Sequence, residues 1–243
     1  MAEDLARGTP CAAVSRARAR RIQRGYAEWA RVYDWFARAT ASVGGVRAGC
    51  VRALDLDPGD TVVEFGCGPG VNLPALREAV GPTGRVVGVD LTRAMLDRAR
   101  GLVERRGWEN VSLVQGDATE PPIRTADGVL ATFVTSLFPD PYAVVSAWCD
   151  LADSVVVAGF SPRGSRPANA ALWAFVRLNA RLFDARSENP LGLLAERTAA
   201  SRRALDDRTR RVTVERYLFG TVSVFAGHGS DDRERSGGAE HNV

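Results

Sequence analysis

The chain has 243 residues, a net charge of +3 and 45% hydrophobic residues, enough for one α/β domain with a full core and some additions. A charge this small does not indicate a nucleic-acid partner, and no apolar run approaches the roughly 18–20 residues that cross a bilayer. The four cysteines are scattered without a C-x-x-C pair, which argues against a zinc site and a disulfide scaffold and favours a reducing, cytoplasmic location.

The N-terminal part predicts a mobile segment followed by a helix. Residues 1–17 are small, polar and basic, so we expect them to be mobile. Over about residues 18–40, aromatic and apolar residues recur at spacings of three and four and define one helical face. Tyr26 and Tyr33 lie on that face and could hold a substrate hydroxyl. The face either packs on the domain as ordinary core or closes over a bound ligand and excludes water.

A strand, a glycine turn and a helix are predicted next. A second helix, from Gly44 to Asp57, precedes the stretch Thr61–Gly70, with the sequence T-V-V-E-F-G-C-G-P-G. There, apolar residues flank one carboxylate, and glycines then occupy alternate positions, as in a buried parallel strand that feeds a tight turn. Helical spacing follows over Val71–Val80. This order is the first half of a nucleotide-binding βαβ unit.

The glycine turn discriminates between nucleotide ligands. A P-loop needs a Lys at the end of its glycine loop, and this chain contains no Lys. A dinucleotide fingerprint needs a glycine where this chain has Val71, and Glu64 would repel a pyrophosphate. A carboxylate before G-x-G-x-G suits a ligand with positive groups and no phosphate, such as S-adenosylmethionine with its ammonium and sulfonium.

The rest of the chain continues the alternation and then departs from it after Pro162. The predicted strands are Arg85–Asp90, Val111–Asp117, Gly128–Val134, Ser154–Phe160, Val212–Val214 and Tyr217–Ala226. The predicted helices are a segment capped by Thr92 and ended by Gly107, Tyr142–Leu151, Asn169–Phe183 and Gly192–Leu205. Residues 229–243 are polar, charged and glycine-rich, which predicts disorder. One domain over residues 18–228 is therefore expected.

Three segments resemble the motifs of class I S-adenosylmethionine-dependent methyltransferases, over roughly residues 58 to 160. E-F-G-C-G-P-G is similar to the first motif, R-V-V-G-V-D ends in an acid as the second does, and V-S-L-V-Q-G-D-A has the G-D-A ending of the third. The resemblance implies an α/β fold with a Rossmann-like, doubly wound, seven-stranded sheet. That sheet would be mostly parallel with an antiparallel last strand, and the chain would carry a helical N-terminal extension.

The resemblance also implies a cofactor site at the carboxyl ends of the strands, where open α/β sheets bind ligands. The expected cofactor-binding residues are Glu64, Gly66, Gly68, Gly70, Asp90, Leu91, Met95, Asp117, Ala118 and Thr132. The glycine loop would lie against the methionine part, and Glu64 would position its ammonium group. Asp90 would accept from the ribose hydroxyls, because a carboxylate has two oxygens to offer a diol.

The adenine and acceptor sides follow from the same resemblance. Leu91 and Met95 would pack on the adenine ring. Asp117 would accept from the adenine amino group while Ala118 donates its backbone N–H. Thr132 and the adjoining Phe133 would face the methyl group and the substrate.

Other polar residues near these motifs leave alternatives open. Asn72 is expected either to cap the first helix of the unit or to touch the ligand. His228 lies near the end of the last strand and is read chiefly as a bystander, with a general base as the alternative. No Ser-His-Asp set, metal cluster or pair of acids is evident in the sequence.

The first functional hypothesis is an S-adenosylmethionine-dependent methyltransferase (EC 2.1.1) acting on a small molecule or a lipid-like acceptor. The segments V-N-L-P-A-L-R-E and D-L-T-R-A-M-L-D-R-A-R resemble the branch with quinone-biosynthesis and phospholipid N-methyltransferases. The sequence departs from that branch at Asp150-Leu151-Ala152-Asp153, where the branch has a Pro-Gly-Gly turn. The basic N-terminal helix would allow a peripheral membrane contact. The alternative is a non-catalytic S-adenosylmethionine-binding regulatory or partner protein. A nicotinamide-dependent oxidoreductase is disfavoured by Val71.

Overall fold

A computed structural model of the protein describes residues 45–162, 166–178 and 189–230. The predicted mobile N-terminus, the helix over about residues 18–40 with Tyr26 and Tyr33, and the tail beyond Ser230 lie outside the described residues. The end of the helix predicted for Asn169–Phe183 also lies outside them.

Seven strands form a single sheet that positions the site described below. They are β1 Thr61–Phe65, β2 Arg85–Asp90, β3 Val111–Gln115, β4 Gly128–Thr132, β5 Ser154–Phe160, β6 Thr209–Tyr217 and β7 Val222–Ser230. The strand order is β3-β2-β1-β4-β5-β7-β6. Strands β1 to β5 pair in parallel, whereas β7 is antiparallel to both of its neighbours. The predicted fold class, a mostly parallel seven-stranded sheet with an antiparallel last strand, is confirmed.

Six helices cover the sheet in the described ranges. They are α1 Val46–Ala53, α2 Leu73–Val80, α3 Arg93–Arg106, α4 Pro141–Cys149, α5 Arg166–Leu178 and α6 Pro190–Arg208. Local chemistry sets several of their ends. Helix α3 stops at Gly107, which takes the left-handed conformation with φ 63°. Asp140 caps α4 by accepting from Ala143 N at 3.0 Å, and Asn189 caps α6 by accepting from Gly192 N at 2.9 Å.

Several predicted boundaries differ from the structure for identifiable reasons. Helix α1 ends before Asp57, its predicted end, because Asp55 has a φ of 55°, which a helix cannot contain. Strand β4 stops at Thr132 because Phe133 has a φ of 63°. The predicted strand Tyr217–Ala226 is divided by a turn at Leu218–Gly220, and Tyr217 belongs to β6.

Two smaller differences concern the ends of strands. Strand β3 ends at Gln115, two residues before the predicted Asp117. Strand β7 continues through Gly229 to Ser230, past the domain boundary expected at His228.

Two apolar layers, one on each face of the sheet, form the core. On one face, α4 and α6 pack against β5, and the ring of Trp148 in α4 stacks on Phe65 of β1 with centroids 4.9 Å apart. On the other face, α1, α2 and α3 bury a second cluster that includes Cys50 and Leu76. Because the central strands are covered on both sides, β1 and β4 are almost wholly buried. Glu64, in the middle of that core, is an exception that needs an explanation.

None of the described helices combines the length and the apolar character that crossing a bilayer would require.

Candidate functional site

The candidate site lies at the carboxyl ends of β1, β2 and β4. Strand order reverses here, because β2 lies on one side of β1 and β4 on the other. Loops from the two sides diverge at such a point and leave a crevice. The structure brings Glu64, Asp90 and Thr132 together at this edge, from three segments well separated in sequence.

The glycine turn after β1 is held against β2 by its own backbone. Gly66 N and Cys67 N both donate to Val89 O, at 2.8 and 3.1 Å. Gly68 N donates to Asp90 Oδ2 at 2.9 Å, and Gly70 N donates to Cys67 O at 3.0 Å. The turn is thus hydrogen-bonded into shape before any ligand arrives, which lowers the entropic cost of binding.

The three glycines of the turn meet different surroundings. All three have positive φ, with values of 69° at Gly66, 56° at Gly68 and 84° at Gly70. A Cβ atom on Gly66 would lie 2.8 Å from Val134, and one on Gly70 would lie 2.7 Å from Leu73. A Cβ atom on Gly68 would meet nothing within 4 Å. The outer two glycines therefore permit packing, whereas the side of Gly68 is open to a ligand.

Asp90 connects the glycine turn to α3. Its Oδ1 accepts from Thr92 N at 2.7 Å and its Oδ2 from Gly68 N at 2.9 Å. Thr92 precedes α3 as predicted, but its side chain makes no bond to the helix and hydrogen-bonds Asp90 instead. Burial raises the pKa of Asp90, and the hydrogen bonds from Thr92 and Gly68 oppose that rise. A carboxylate has about four lone-pair sites. Gly68 N, Thr92 N and the Thr92 side chain take three of those of Asp90, which leaves one for a ligand hydroxyl.

Glu64 is buried at the centre of the site, with 1% of its surface exposed. Its Oε1 accepts from Asn72 Nδ2 at 2.5 Å. Among the described residues, no hydrogen-bond partner reaches Oε2. Burial raises the pKa of Glu64 to about 8, and the Asn72 hydrogen bond and the charge of Arg47 hold it below what burial alone would give.

Asn72 is the hub of the polar network around Glu64. Besides Glu64, its Nδ2 contacts Thr132 Oγ1 at 3.2 Å, and its Oδ1 accepts from Arg47 Nη1 at 2.9 Å. Of the two roles expected for Asn72, a side-chain cap on α2 is wrong, because it occupies the cap position without a side-chain cap bond. Arg47 was not among the predicted site residues, because it has no local signal in the sequence and meets Asn72 only through the packing of α1 against α2.

The residues predicted to surround adenine have mixed placements. Leu91 is partly exposed after β2, where an adenine ring could pack. Met95 is 1% exposed, and the contact between its side chain and adenine stays a prediction. Asp117 Oδ1 accepts from Thr119 N at 2.9 Å and from Thr119 Oγ1 at 2.8 Å, and the contact of Asp117 with the adenine amino group stays a prediction. Ala118 is buried, and its carbonyl accepts from Trp148 Nε1 at 2.9 Å.

Thr132 and Phe133, which were predicted to face the methyl group and the substrate, lie at the carboxyl end of β4. Thr132 is 7% exposed at the end of β4. Phe133 follows it with a φ of 63°, and its ring packs on Phe160 of β5 with centroids 4.8 Å apart. A bulky residue in the left-handed region is strained, and such strain is concentrated at functional sites.

His228 lies near the opposite end of the strands from the crevice. It pairs with Ser154, the first residue of β5, whereas the crevice is at the other end, beyond Phe160. Six residues of strand separate the two ends by roughly 20 Å. His228 therefore cannot act as the general base at this crevice.

The site fits a cofactor with a positive group. The unpartnered Oε2 of Glu64 needs a donor once ionised, because a buried unpaired charge is costly. The turn that follows β1 has open space at Gly68. Together these features match the ammonium-bearing methionine part of S-adenosylmethionine and do not suit a phosphate.

Comparison with known proteins supports the same class. A methyltransferase domain model matches residues 62–152. A phosphatidylethanolamine N-methyltransferase from Cereibacter sphaeroides is 36% identical over 163 residues, which cover 64% of this chain and 76% of that protein. An aklanonic acid methyltransferase from Streptomyces sp. (strain C5) is 34% identical over 97 residues, which cover 39% of this chain and 44% of that protein.

The fold is found in solved structures as well. A SAM-dependent methyltransferase from Aquifex aeolicus superposes with a TM-score of 0.52 at 18% identity, over 75% of this chain and 88% of that chain. The fold and the crevice define an α/β protein of the methyltransferase class. The chain belongs to the class I S-adenosylmethionine-dependent methyltransferases, and S-adenosylmethionine is its cofactor.

Replacing Gly68 with Ala should weaken S-adenosylmethionine binding at least tenfold with only a modest loss of stability. The new methyl group would occupy the open side of the turn. The positive φ at this position would cost an alanine about 1–2 kcal/mol. Gly107→Ala is a matched control, because Gly107 also has a φ near that of Gly68, at 63° against 56°, and open surroundings. Calorimetric titration and thermal melts should show similar destabilisation in both variants and weaker binding in Gly68→Ala alone. Equal affinities would show that the cofactor does not approach Gly68.

Proposed function

We propose that the protein transfers the methyl group of S-adenosylmethionine to nitrogen or oxygen of a small-molecule or lipid-like acceptor with an apolar body. The observation that carries this proposal is the Phe133–Phe160 ring pair, partly exposed at the carboxyl ends of β4 and β5. The pair provides an apolar platform directly beyond Thr132. Burial of an acceptor's apolar surface there would supply binding energy of about 25 cal/mol per Å².

In this proposal each residue of the crevice has a physical role. The cofactor, when bound, supplies a methyl group already activated by its sulfonium. Glu64 and Asp90 would hold the ammonium and the ribose, so that the methyl group points toward the end of β4. Thr132 and Phe133 would orient the acceptor for in-line attack. Alignment and exclusion of water can supply much of the rate in such a displacement.

The relatives narrow the acceptors to be tested first. One relative is a phosphatidylethanolamine N-methyltransferase and another is an aklanonic acid methyltransferase. The first name suggests a phospholipid head-group amine as a candidate acceptor, and the second an acidic small molecule. A quinone precursor, which the resemblance of the sequence implied, is a further candidate. The chain spans about three quarters of the first relative and less than half of the second. The predicted membrane contact through the helix at residues 18–40 belongs to this proposal and lies outside the described residues.

Transfer of labelled methyl groups tests the proposal. The protein is incubated with methyl-labelled S-adenosylmethionine and, in parallel, with phosphatidylethanolamine vesicles, free ethanolamine, phenolic quinone precursors and a cell extract. We expect label in a product recovered with apolar acceptors and little with free ethanolamine, which lacks the apolar body. Mass spectrometry identifies the product and the methylated atom.

Two results would contradict the proposal. Efficient methylation of small polar acceptors would remove the role given to the aromatic platform. Tight binding of S-adenosylmethionine without label in any fraction would favour the non-catalytic alternative, which the relatives do not favour.

A further inference from the structure

The polar network around Glu64 begins outside the glycine motif. Arg47 is on α1, 25 residues before Asn72, and upstream of the segment matched by the methyltransferase domain model. It is partly buried and donates through Nη1 to Asn72 Oδ1 at 2.9 Å. Asn72 Nδ2 then donates to Glu64 Oε1 at 2.5 Å. Three side chains from α1, the start of α2 and β1 thus form one directed chain of hydrogen bonds.

The chemistry of the three groups allows only one direction. A guanidinium has only donors and an amide has one end of each kind, whereas the Glu64 carboxyl can accept through Oε1 in either protonation state. Asn72 therefore satisfies both neighbours only with its oxygen toward Arg47 and its nitrogen toward Glu64. The opposite orientation would place two oxygens together at the buried carboxylate and two sets of donors together at Arg47. Arg47 thus selects the orientation of the amide that Glu64 requires.

The same chain determines which carboxylate oxygen remains available. Because Oε1 is taken by Asn72, the oxygen without a partner among the described residues is Oε2. Asn72 is itself held from two sides, by Arg47 and by its contact with Thr132 at 3.2 Å. The carboxylate cannot rotate without breaking a buried hydrogen bond, which costs about 1–3 kcal/mol.

We infer that Arg47 is a positioning residue of the cofactor site, which acts through Asn72 to orient Glu64 and to keep its Oε2 available for the cofactor's ammonium group. The inference rests on the proposed assignment of Glu64 to that ammonium. It adds a residue from α1, a helix outside the three sequence motifs, to the machinery that binds S-adenosylmethionine.

The charge of Arg47 should also strengthen cofactor binding, because it favours the ionised form of Glu64. The charged and titratable groups that act on Glu64 are Arg47, Asp90, Cys50 and Cys67. Arg47 favours the ionised carboxylate, whereas Asp90 opposes it. The pKa of Glu64 is about 8 with Arg47 present, so loss of Arg47 should raise it further. A neutral Glu64 offers the ammonium a weaker partner, and binding should therefore require a higher pH.

The test is calorimetric titration of the full-length protein with S-adenosylmethionine between pH 6.5 and 8.5. At pH 7, Arg47→Gln should bind about five- to twentyfold more weakly than the wild type, which corresponds to roughly 1–2 kcal/mol. The pH at which its affinity reaches half of the maximum should move upward. Arg47→Lys retains the charge and a donor and should recover most of the affinity. Arg52→Gln, which removes an exposed Arg from the same helix, should bind as the wild type does.

The possible outcomes separate this inference from the assignment of Glu64. If Glu64→Gln binds normally, the role proposed for Glu64 is wrong. If Glu64→Gln binds weakly while Arg47→Gln keeps the wild-type affinity and pH profile, the inference about Arg47 is overturned. A loss that is equal at all pH values and is not rescued by Lys would show a merely structural role and would also overturn it. Should Arg47→Gln not fold, Asn72→Leu removes the same link, and an unchanged pH profile in that variant would have the same meaning.

Discussion

Replacing Glu64 with Gln should make the ligand-free protein more stable than the wild type, by an amount that grows as the pH rises from about 5 to about 8. The ordinary pKa of this carboxyl is 4.5 and burial raises it to about 8 in the folded protein. Between those values the folded state binds more protons than the unfolded state, so the stability of the wild type falls as the pH increases. Gln cannot ionise and avoids that loss, which amounts to a few kcal/mol.

Urea unfolding at pH 5, 7 and 8.5 measures this effect. The difference in unfolding free energy between Glu64→Gln and the wild type should widen at each step. Glu78→Gln, which changes an exposed residue of α2, is the matched control and should run parallel to the wild type. A constant difference for Glu64→Gln would show that Glu64 does not have a raised pKa.

The same substitution should weaken the binding of S-adenosylmethionine at least tenfold. A hydrogen bond to a charged group contributes about 1.5–3 kcal/mol, and Gln would present an amide where Oε2 of Glu64 now has no partner. One substitution would thus increase stability and reduce binding. Such an exchange is typical of functional residues that are kept at a cost to the fold.

The second large effect is expected for Asp90→Ala, which should reduce the affinity for S-adenosylmethionine by more than tenfold. Asp90 accepts from both Gly68 N and Thr92 N, so its loss would remove one of the three hydrogen bonds from the glycine turn to β2 as well as the proposed ribose contact. Each unpaired buried donor costs about 1–3 kcal/mol. Asp97→Ala removes an exposed acid of α3 that pairs with Arg100 at 2.7 Å and should change little.

A ligand series can separate the two roles of Asp90. Wild-type protein should bind S-adenosylhomocysteine more tightly than its 2′-deoxyribose analogue, and Asp90→Ala should lose that preference. If the variant still discriminates between the two ligands, Asp90 supports only the turn and the ribose assignment is wrong. If its affinity is unchanged, both roles are wrong.

The sequence predicted best what depends on local pattern. Strands Arg85–Asp90 and Ser154–Phe160 have the predicted boundaries, because each is a β-branched apolar run between turn residues. The end of α3 at Gly107 follows from a single left-handed residue. The family, the cofactor and the sheet architecture were accessible because glycines and acids at fixed offsets have few alternative explanations.

The sequence could not show what depends on contacts between distant segments. The link from Arg47 to Asn72 spans 25 residues, and the link from Asn72 to Thr132 spans 60. Met95 fits the motif pattern, yet its side chain is buried. The left-handed backbone of Phe133 is sustained by tertiary structure, since a Phe adopts it at a cost in any local context.

The packing of α1 determines where an active fragment of the protein must begin. Cys50 and Leu54 are fully buried against the sheet, and Arg47 contacts the site through Asn72. A fragment trimmed to the matched residues 62–152 would lack α1, expose the apolar surface that α1 covers, and lose the hydrogen bond from Arg47 to Asn72. The minimal independent enzyme must therefore start upstream of Val46. A displacement of this short helix would move Arg47 and disturb the hydrogen bonds that orient Glu64.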